Sequence, residues 1–301
     1  MLRLDSVSKV YRVGTFGGKS LQAVRDVSFD LRPGEIVSLI GESGSGKSTI
    51  GRMILRLDRV TSGTISFDET DIAGLGRSAT KDYYREVQGV FQDPFSSYNP
   101  VFKADRVFAM IRDTYFPGVG KDEWRDKLHG SLASVGLSPN EVLNRYPHQL
   151  SGGQLQRLLI ARALLLDIRI LVADEIISML DASTRIDVLN LLADLRERGL
   201  GILFITHDLS LGNYLSDRTL ILHRGAVVEM GATEKVFGDP RHAYTRMLLA
   251  SVPQLHERWR DRKRNGDLAL PPTTARDGPA PVLVEVDADH LVALPAKGGT
   301  T

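Results

Sequence analysis

The sequence predicts an α/β protein whose sheet is mostly parallel and flanked by helices. Three observations carry this reading. A strand-like run, EIVSLI (35–40), leads through a Gly-rich turn into an apolar helical pattern reaching about Leu57. Strand-like runs return at RILVA (169–173) and GILFIT (201–206). Between them, RIDVLNLLADLRERG (185–199) has the apolar spacing of an amphipathic helix.

Taken in order, LRLDSV (2–7) and VRDVSFDL (24–31) alternate apolar and polar residues and predict short strands. Pro33-Gly34 marks a turn before EIVSLI, and TSGTISFD (61–68) predicts another turn and strand. From about Pro94 to Leu165 the pattern is of helical segments separated by Pro and Gly, a helical subdomain with no strand. HRGAVVEMG (223–231) predicts a hairpin around Arg224-Gly225. The main domain is expected over 1–252. The extension 253–301 opens with the basic RWRDRKR (258–264), continues with the Pro-rich PPTTARDGPAP (271–281), and ends in PVLVEVDADHLVAL (281–294), which can supply one or two short strands. No internal repeat is present.

Composition narrows the function. The 301 residues are 42% hydrophobic and 25% charged, which suits a globular protein with a sizeable core. A net charge of +1 argues against a dedicated nucleic-acid binder. The absence of cysteine excludes disulfides, thiolate metal sites and iron–sulfur clusters. The start, MLRLDSVSKV, lacks the apolar core of a signal peptide. The most apolar run, LLIARALLLDIRILVA (158–173), is interrupted by Arg162, Asp167 and Arg169, so it does not predict a membrane span.

Gly41-Glu42-Ser43-Gly44-Ser45-Gly46-Lys47-Ser48 fits the phosphate-loop pattern G-x-x-x-x-G-K-[ST], with a strand before it and a helix after it. Glycines let successive backbone N–H groups curl toward a phosphate, and the helix N-terminus adds its positive end. Lys47 is placed to pair with the β- and γ-phosphates, Ser48 to bind Mg2+, and Thr49 to add a phosphate contact. A hundred residues on, LSGGQLQR (150–157) precedes a long helix. An isolated Ser-Gly-Gly is commonly a helix cap and no more.

The two strings in this order resemble the ATP-binding-cassette (ABC) ATPases, over at least residues 1–250. The resemblance implies a P-loop cassette with an antiparallel β subdomain, a RecA-like, mostly parallel core sheet and an α-helical subdomain. It implies ATP and Mg2+ as cofactors. Ser151, Gly152, Gly153 and Gln154 would cap the ATP held by an opposite subunit. Gln92, in VFQDPFSSYNP (90–100), matches the loop glutamine that reaches Mg2+ or the attacking water. Tyr11 matches the aromatic that stacks on adenine, and His207, in FITHD, the switch histidine at the γ-phosphate. In ADEIISMLD (173–181), Asp174 would hold Mg2+ through water and Glu175 would orient and deprotonate the hydrolytic water. Asp181 matches an acid that communicates across the dimer.

One departure stands beside Glu175. The family commonly has proline next, and this chain has Ile176. The reading favoured here is that the strand extends one residue further and leaves Glu175 in place; the alternative is a less firmly held Glu175 and slower hydrolysis. QDPFSSYNP (92–100) and RHAYTRMLLASVP (241–253) resemble strings of the peptide/nickel/opine importer branch, with Tyr98 for leucine and Ala243 for proline. That branch implies two permease subunits, a second cassette as heterodimer or homodimer, an extracytoplasmic solute-binding protein, and a peripheral place on the cytoplasmic membrane face. Two other readings stand: a soluble cassette ATPase outside transport, and a nucleotide-binding partner with weak hydrolysis.

Overall fold

The computed structural model of the chain describes residues 1–13, 18–251 and 280–293. The first part runs β1 (Leu2–Val13), β2 (Lys19–Leu31), β3 (Ile36–Ile40), α1 (Lys47–Ile54), β4 (Ser62–Phe67) and β5 (Thr70–Asp71). The middle runs α2 (Arg77–Glu86), β6 (Val87–Val90), α3 (Arg106–Tyr115), α4 (Lys121–Ser134), α5 (Pro139–Val142), α6 (Gly152–Leu164), β7 (Ile170–Asp174) and α7 (Ala182–Glu197). Then come β8 (Gly201–Thr206), α8 (Leu209–Leu215), β9 (Arg218–His223), β10 (Ala226–Ala232), α9 (Thr233–Gly238), α10 (Ala243–Ser251), β11 (Leu283–Asp287) and β12 (His290–Ala293). The chain divides into two compact units, Met1–Gly74 with Leu203–Thr301, and Leu75–Ile202.

In the first unit an antiparallel sheet has the order β2-β1-β4-β5. The strands expected to be short near the N-terminus are long, because β-bulges interrupt the alternation without ending the pairing. Register shifts fall between Leu4 and Val7, Val7 and Lys9, and Lys9 and Val10, and Ser6 and Asp26 take left-handed φ values of 50° and 48°. A second sheet runs β11-β12-β10-β9-β3. There β3 lies parallel to β9, whereas β10 is antiparallel to both β9 and β12. All five residues of β3 are buried, which is why IVSLI reads as a continuous apolar run. The expected hairpin forms at Arg224 (φ 47°) and Gly225 (φ 87°), the two left-handed positions a tight two-residue turn requires. Ile40, Ile221, Val228, Val236, Tyr244, Leu248 and Ala293 share one core cluster, so α10 packs on the sheet that carries the phosphate loop, and the C-terminal hairpin extends that sheet beside β10.

In the second unit β6 pairs parallel with β7, from Val87 opposite Ile170 to Val90 opposite Ala173. Among the described residues no strand lies between Val90 and Ile170. Helix α6 buries Leu155, Leu158, Leu159 and Ala163, and Ser131 Oγ of α4 donates to Ala161 O at 2.6 Å. Strand β7 stops at Asp174 and a turn follows. The expected extension through Glu175 does not occur: Glu175 adopts φ 50°, and where Ser6 and Asp26 sit at bulges inside continuing strands, the chain beyond Glu175 goes into a turn. The basic stretch 258–264 and most of 271–281 lie outside the described residues.

Candidate nucleotide site

The phosphate loop is shaped by steric necessity. A Cβ on Gly41 would sit 2.2 Å from Leu222 O, and one on Gly46 would sit 2.4 Å from Ala23 O. Gly46 also has φ 109° and Gly44 φ 77°; flanking Ser45, they turn successive N–H groups to one side. The Ser45 amide donates to Glu42 O at 3.1 Å, and the Gly225 amide donates to Ser45 O at 2.8 Å, so the β9–β10 hairpin supports the loop from behind. Helix α1 starts from Gly46 without a side-chain cap, so no side chain competes for its first amides.

Lys47 is buried, and its ammonium donates to Gly41 O at 2.7 Å and Glu42 O at 3.0 Å. Ser45 is buried too, and its Oγ has no hydrogen-bond partner. An orphaned hydroxyl in a glycine-shaped anion cradle is what a phosphate oxygen would complete. Ser43 and Ser48 are exposed and Thr49 is half-buried.

Tyr11 reaches this loop from β1. Its hydroxyl donates to Asp58 Oδ2 at 2.9 Å, and it also has a side-chain hydrogen bond with Thr49. Asp58 is held in turn by Arg52 Nε at 2.7 Å. The Lys9 ammonium lies 4.8 Å from the Tyr11 ring centroid. Burial and then the Asp58 carboxylate push the Tyr11 phenol up from its ordinary value. His207 is exposed just beyond Thr206, the last residue of β8. Asp208 follows and caps α8 by accepting from the Ser210 and Leu211 amides.

The second unit carries the other candidates. Asp174, at the end of β7, is 8% exposed, and Glu175 is half-buried. Glu175 O accepts from the Ser178 amide at 3.1 Å and from Ser178 Oγ at 2.9 Å. Ile176 and Ile177 are buried, pinning the turn to the core. Ser151 and Gln154 form a capping box at the start of α6: Ser151 Oγ accepts from the Gln154 amide, and Gln154 Oε1 from the Ser151 amide. Gln92 is exposed in the loop after β6. From α6, Arg162 donates to Gly89 O at 2.8 Å and Gln156 to Phe91 O at 3.5 Å, so the signature helix holds the backbone leading into that loop.

Asp181 is the N-cap of α7. It accepts from Ser183 Oγ at 2.6 Å, the Thr184 amide at 3.0 Å and Thr184 Oγ1 at 2.9 Å, and these donors hold its carboxyl below the usual range. Thr184 in turn presses on the signature: a Cβ on Gly153 would come within 2.6 Å of Thr184 Cγ2. Asp181 and Gly153 are thus brought together through Thr184, a residue the sequence motifs do not include. Arg52, Asp58 and the supporting Gly225 were also outside those motifs. Asp58 lies 47 residues from Tyr11, and no sequence period links them.

No group of three or more His, Cys, Asp or Glu side chains forms a metal cage among the described residues. The side chains that the sequence singles out for Mg2+, the Ser48 hydroxyl, the Gln92 amide and the Asp174 carboxylate, offer oxygen donors, the ligand type Mg2+ takes.

Comparisons with known proteins agree with this geometry. Residues 24–178 match the ABC transporter family, and residues 228–278 match the oligopeptide/dipeptide transporter C-terminal region. The chain is 40% identical to the oligopeptide transport ATP-binding protein OppF of Streptococcus pyogenes serotype M1, over 92% of this chain and 90% of that protein. It is 40% identical to OppF of Salmonella typhimurium, over 78% of this chain and 70% of that protein. Among solved structures, the dimeric post-hydrolysis state of the ATP-binding cassette MJ0796 bound to ADP and Pi has a TM-score of 0.69 and 31% identity, covering 77% of this chain and 99% of that one. A glycine-shaped phosphate cradle, a capped signature helix and these likenesses converge: the chain belongs to the ABC transporter family, as an ATP-binding cassette ATPase with the C-terminal region of its oligopeptide/dipeptide transporters.

Proposed function

We propose that the chain is one of two ATP-hydrolysing cassettes that drive peptide uptake through two membrane permease subunits, fed by an extracytoplasmic solute-binding protein. It docks peripherally on the cytoplasmic face of the membrane and pairs with a second cassette, a related chain or another copy. No described helix is long and apolar enough to cross a membrane; on this reading the permease subunits supply the path. The observation that carries the reading is the joint presence of the phosphate cradle and the 228–278 match to oligopeptide/dipeptide transporters.

On this reading Lys47 exchanges its two carbonyl partners for the β- and γ-phosphates, while the amides around Gly44, Ser45 and Gly46 bind the phosphate oxygens. Gly41 and Ser43 complete the loop, Thr49 adds a phosphate contact, and Tyr11 stacks on the adenine. Ser48, Gln92 and Asp174 hold Mg2+, which supplies charge neutralisation at the phosphate oxygens. Glu175 takes the proton from the attacking water, and His207 contacts the γ-phosphate. Ser151, Gly152, Gly153 and Gln154 cap the nucleotide of the opposite subunit, and Asp181 conveys its state across the dimer.

The test is uptake of a labelled oligopeptide by vesicles that hold the chain with its permease subunits, second cassette and binding protein. Accumulation that requires ATP and disappears with Lys47→Ala is the expected result. Sustained ATP hydrolysis with no peptide accumulation would refute the importer assignment.

A further inference from the structure

The C-terminal region has a direct route to the phosphate loop. Tyr244, at the start of α10, is fully buried, and its phenol oxygen accepts the Glu42 amide at 3.2 Å. That amide belongs to the Gly41–Glu42 peptide, whose other end, Gly41 O, accepts the Lys47 ammonium at 2.7 Å. One peptide unit is therefore gripped at its N–H by Tyr244 and at its C=O by Lys47.

Tyr244 is itself fixed. Its ring lies against His223 with centroids 3.9 Å apart, and its amide donates to His242 Nδ1 at 3.1 Å. The Glu229 carboxylate, fully buried, accepts from the Arg241 amide at 2.7 Å and the His242 amide at 3.0 Å. The same carboxylate meets His290 Nε2 of β12 at 2.8 Å. The start of α10 and the C-terminal hairpin thus share one buried anchor.

We propose that Tyr244 is a positioning residue for ATP binding: its phenol sets the Gly41–Glu42 peptide, and Glu229 with His242 and His290 sets Tyr244. This gives the branch-specific C-terminal region a role at the nucleotide, and it rests on the reading of residues 41–49 as an ATP site. When Lys47 leaves Gly41 O for the phosphates, the Tyr244 bond remains to keep that peptide from turning its carbonyl toward the ligand. A loop that samples other peptide orientations binds ATP more weakly, in proportion to the fraction that stays competent.

The experiment compares ATP binding and steady-state ATPase kinetics of the full-length wild type and Tyr244→Phe, which removes one oxygen and keeps the ring on His223. The KM and Kd for ATP rise about two- to ten-fold, as loss of a single neutral hydrogen bond implies, while kcat at saturating ATP changes far less. Glu229→Gln, which keeps one acceptor at the anchor, shifts KM the same way. An unchanged Kd and KM in Tyr244→Phe, with or without lower thermal stability, would make Tyr244 a structural residue only and overturn the proposal. A fall in kcat with KM unchanged overturns it too. No ATP binding by the wild type would refute the nucleotide reading itself, and the proposal with it.

Discussion

Two turns in this chain each follow a buried strand, one after Ile40 and one after Asp174, and they are held in opposite ways. The phosphate turn depends on missing side chains: Gly41 and Gly46 lie where any Cβ would collide with a carbonyl oxygen. The acid turn depends on present ones: Ile176, Ile177 and Leu180 are buried while Glu175 takes a left-handed φ of 50°. A left-handed conformation costs a non-glycine residue about 1–2 kcal/mol, and the apolar anchors offset that cost. Ile176 thereby accounts for itself. Where the family pattern has proline, this chain has an isoleucine whose side chain is buried in the core beside the turn.

The contrast predicts an order of sensitivities. Ile176→Ala should destabilise the protein by about 2–5 kcal/mol, as other deletions from packed cores do, read as a lower urea midpoint. A near-neutral result would mean that the turn is fixed by something other than its anchors. At the phosphate turn, Gly46→Ala should cost at least about 1–3 kcal/mol through backbone strain and should weaken ATP binding as the loop shifts. Gly44→Ala, where a Cβ meets nothing within 4 Å but φ is 77°, should cost less. Equal effects at the two positions would show that φ, and not the collision with Ala23 O, governs the loop.

Smaller effects follow at the edges of the two turns. Asp181→Ala should lower the melting temperature less than Ile176→Ala, because it removes only a helix cap. It should also remove an acid dependence: the Asp181 carboxyl is depressed in the folded protein by Ser183 and Thr184. Its contribution is therefore fully present above the unfolded carboxylate range and is lost progressively as pH falls below that range toward the depressed folded value. The smallest shift concerns His223. Burial, then Arg224 and His242, lower its imidazole to about 4, so folding favours the neutral ring. That stability is complete above about pH 6.5 and declines as pH falls toward 4. His223→Gln should flatten the slope over this window in unfolding titrations. His242, lowered mainly by burial, leaves a residual slope of the same sign.

The phosphate loop was readable because its chemistry tolerates few residue types: G-x-x-x-x-G-K-[ST] states the φ values and the cation at once. The strands IVSLI and GILFIT were readable because burial on both faces leaves a continuous apolar run. Strand β6, VQGV, was not: four residues are too few to show a period, and its pairing with β7 is fixed 83 residues away. Strand β7 ends earlier than expected: isoleucine in place of proline at 176 leaves a longer strand open, and only tertiary burial makes Ile176 and Ile177 the anchors of a bend. The contacts that hold the site residues, Asp58 on Tyr11, Thr184 on Gly153 and Tyr244 on Glu42, span 47, 31 and 202 residues and leave no local pattern.

The central claim, that this cassette hydrolyses ATP with Glu175 as the base, is tested most directly by ATP binding and ATPase turnover of Glu175→Gln. The account predicts ATP affinity within a few-fold of wild type and turnover reduced by about 10²- to 10⁴-fold, the usual contribution of a general base. Unchanged turnover in that variant would contradict it.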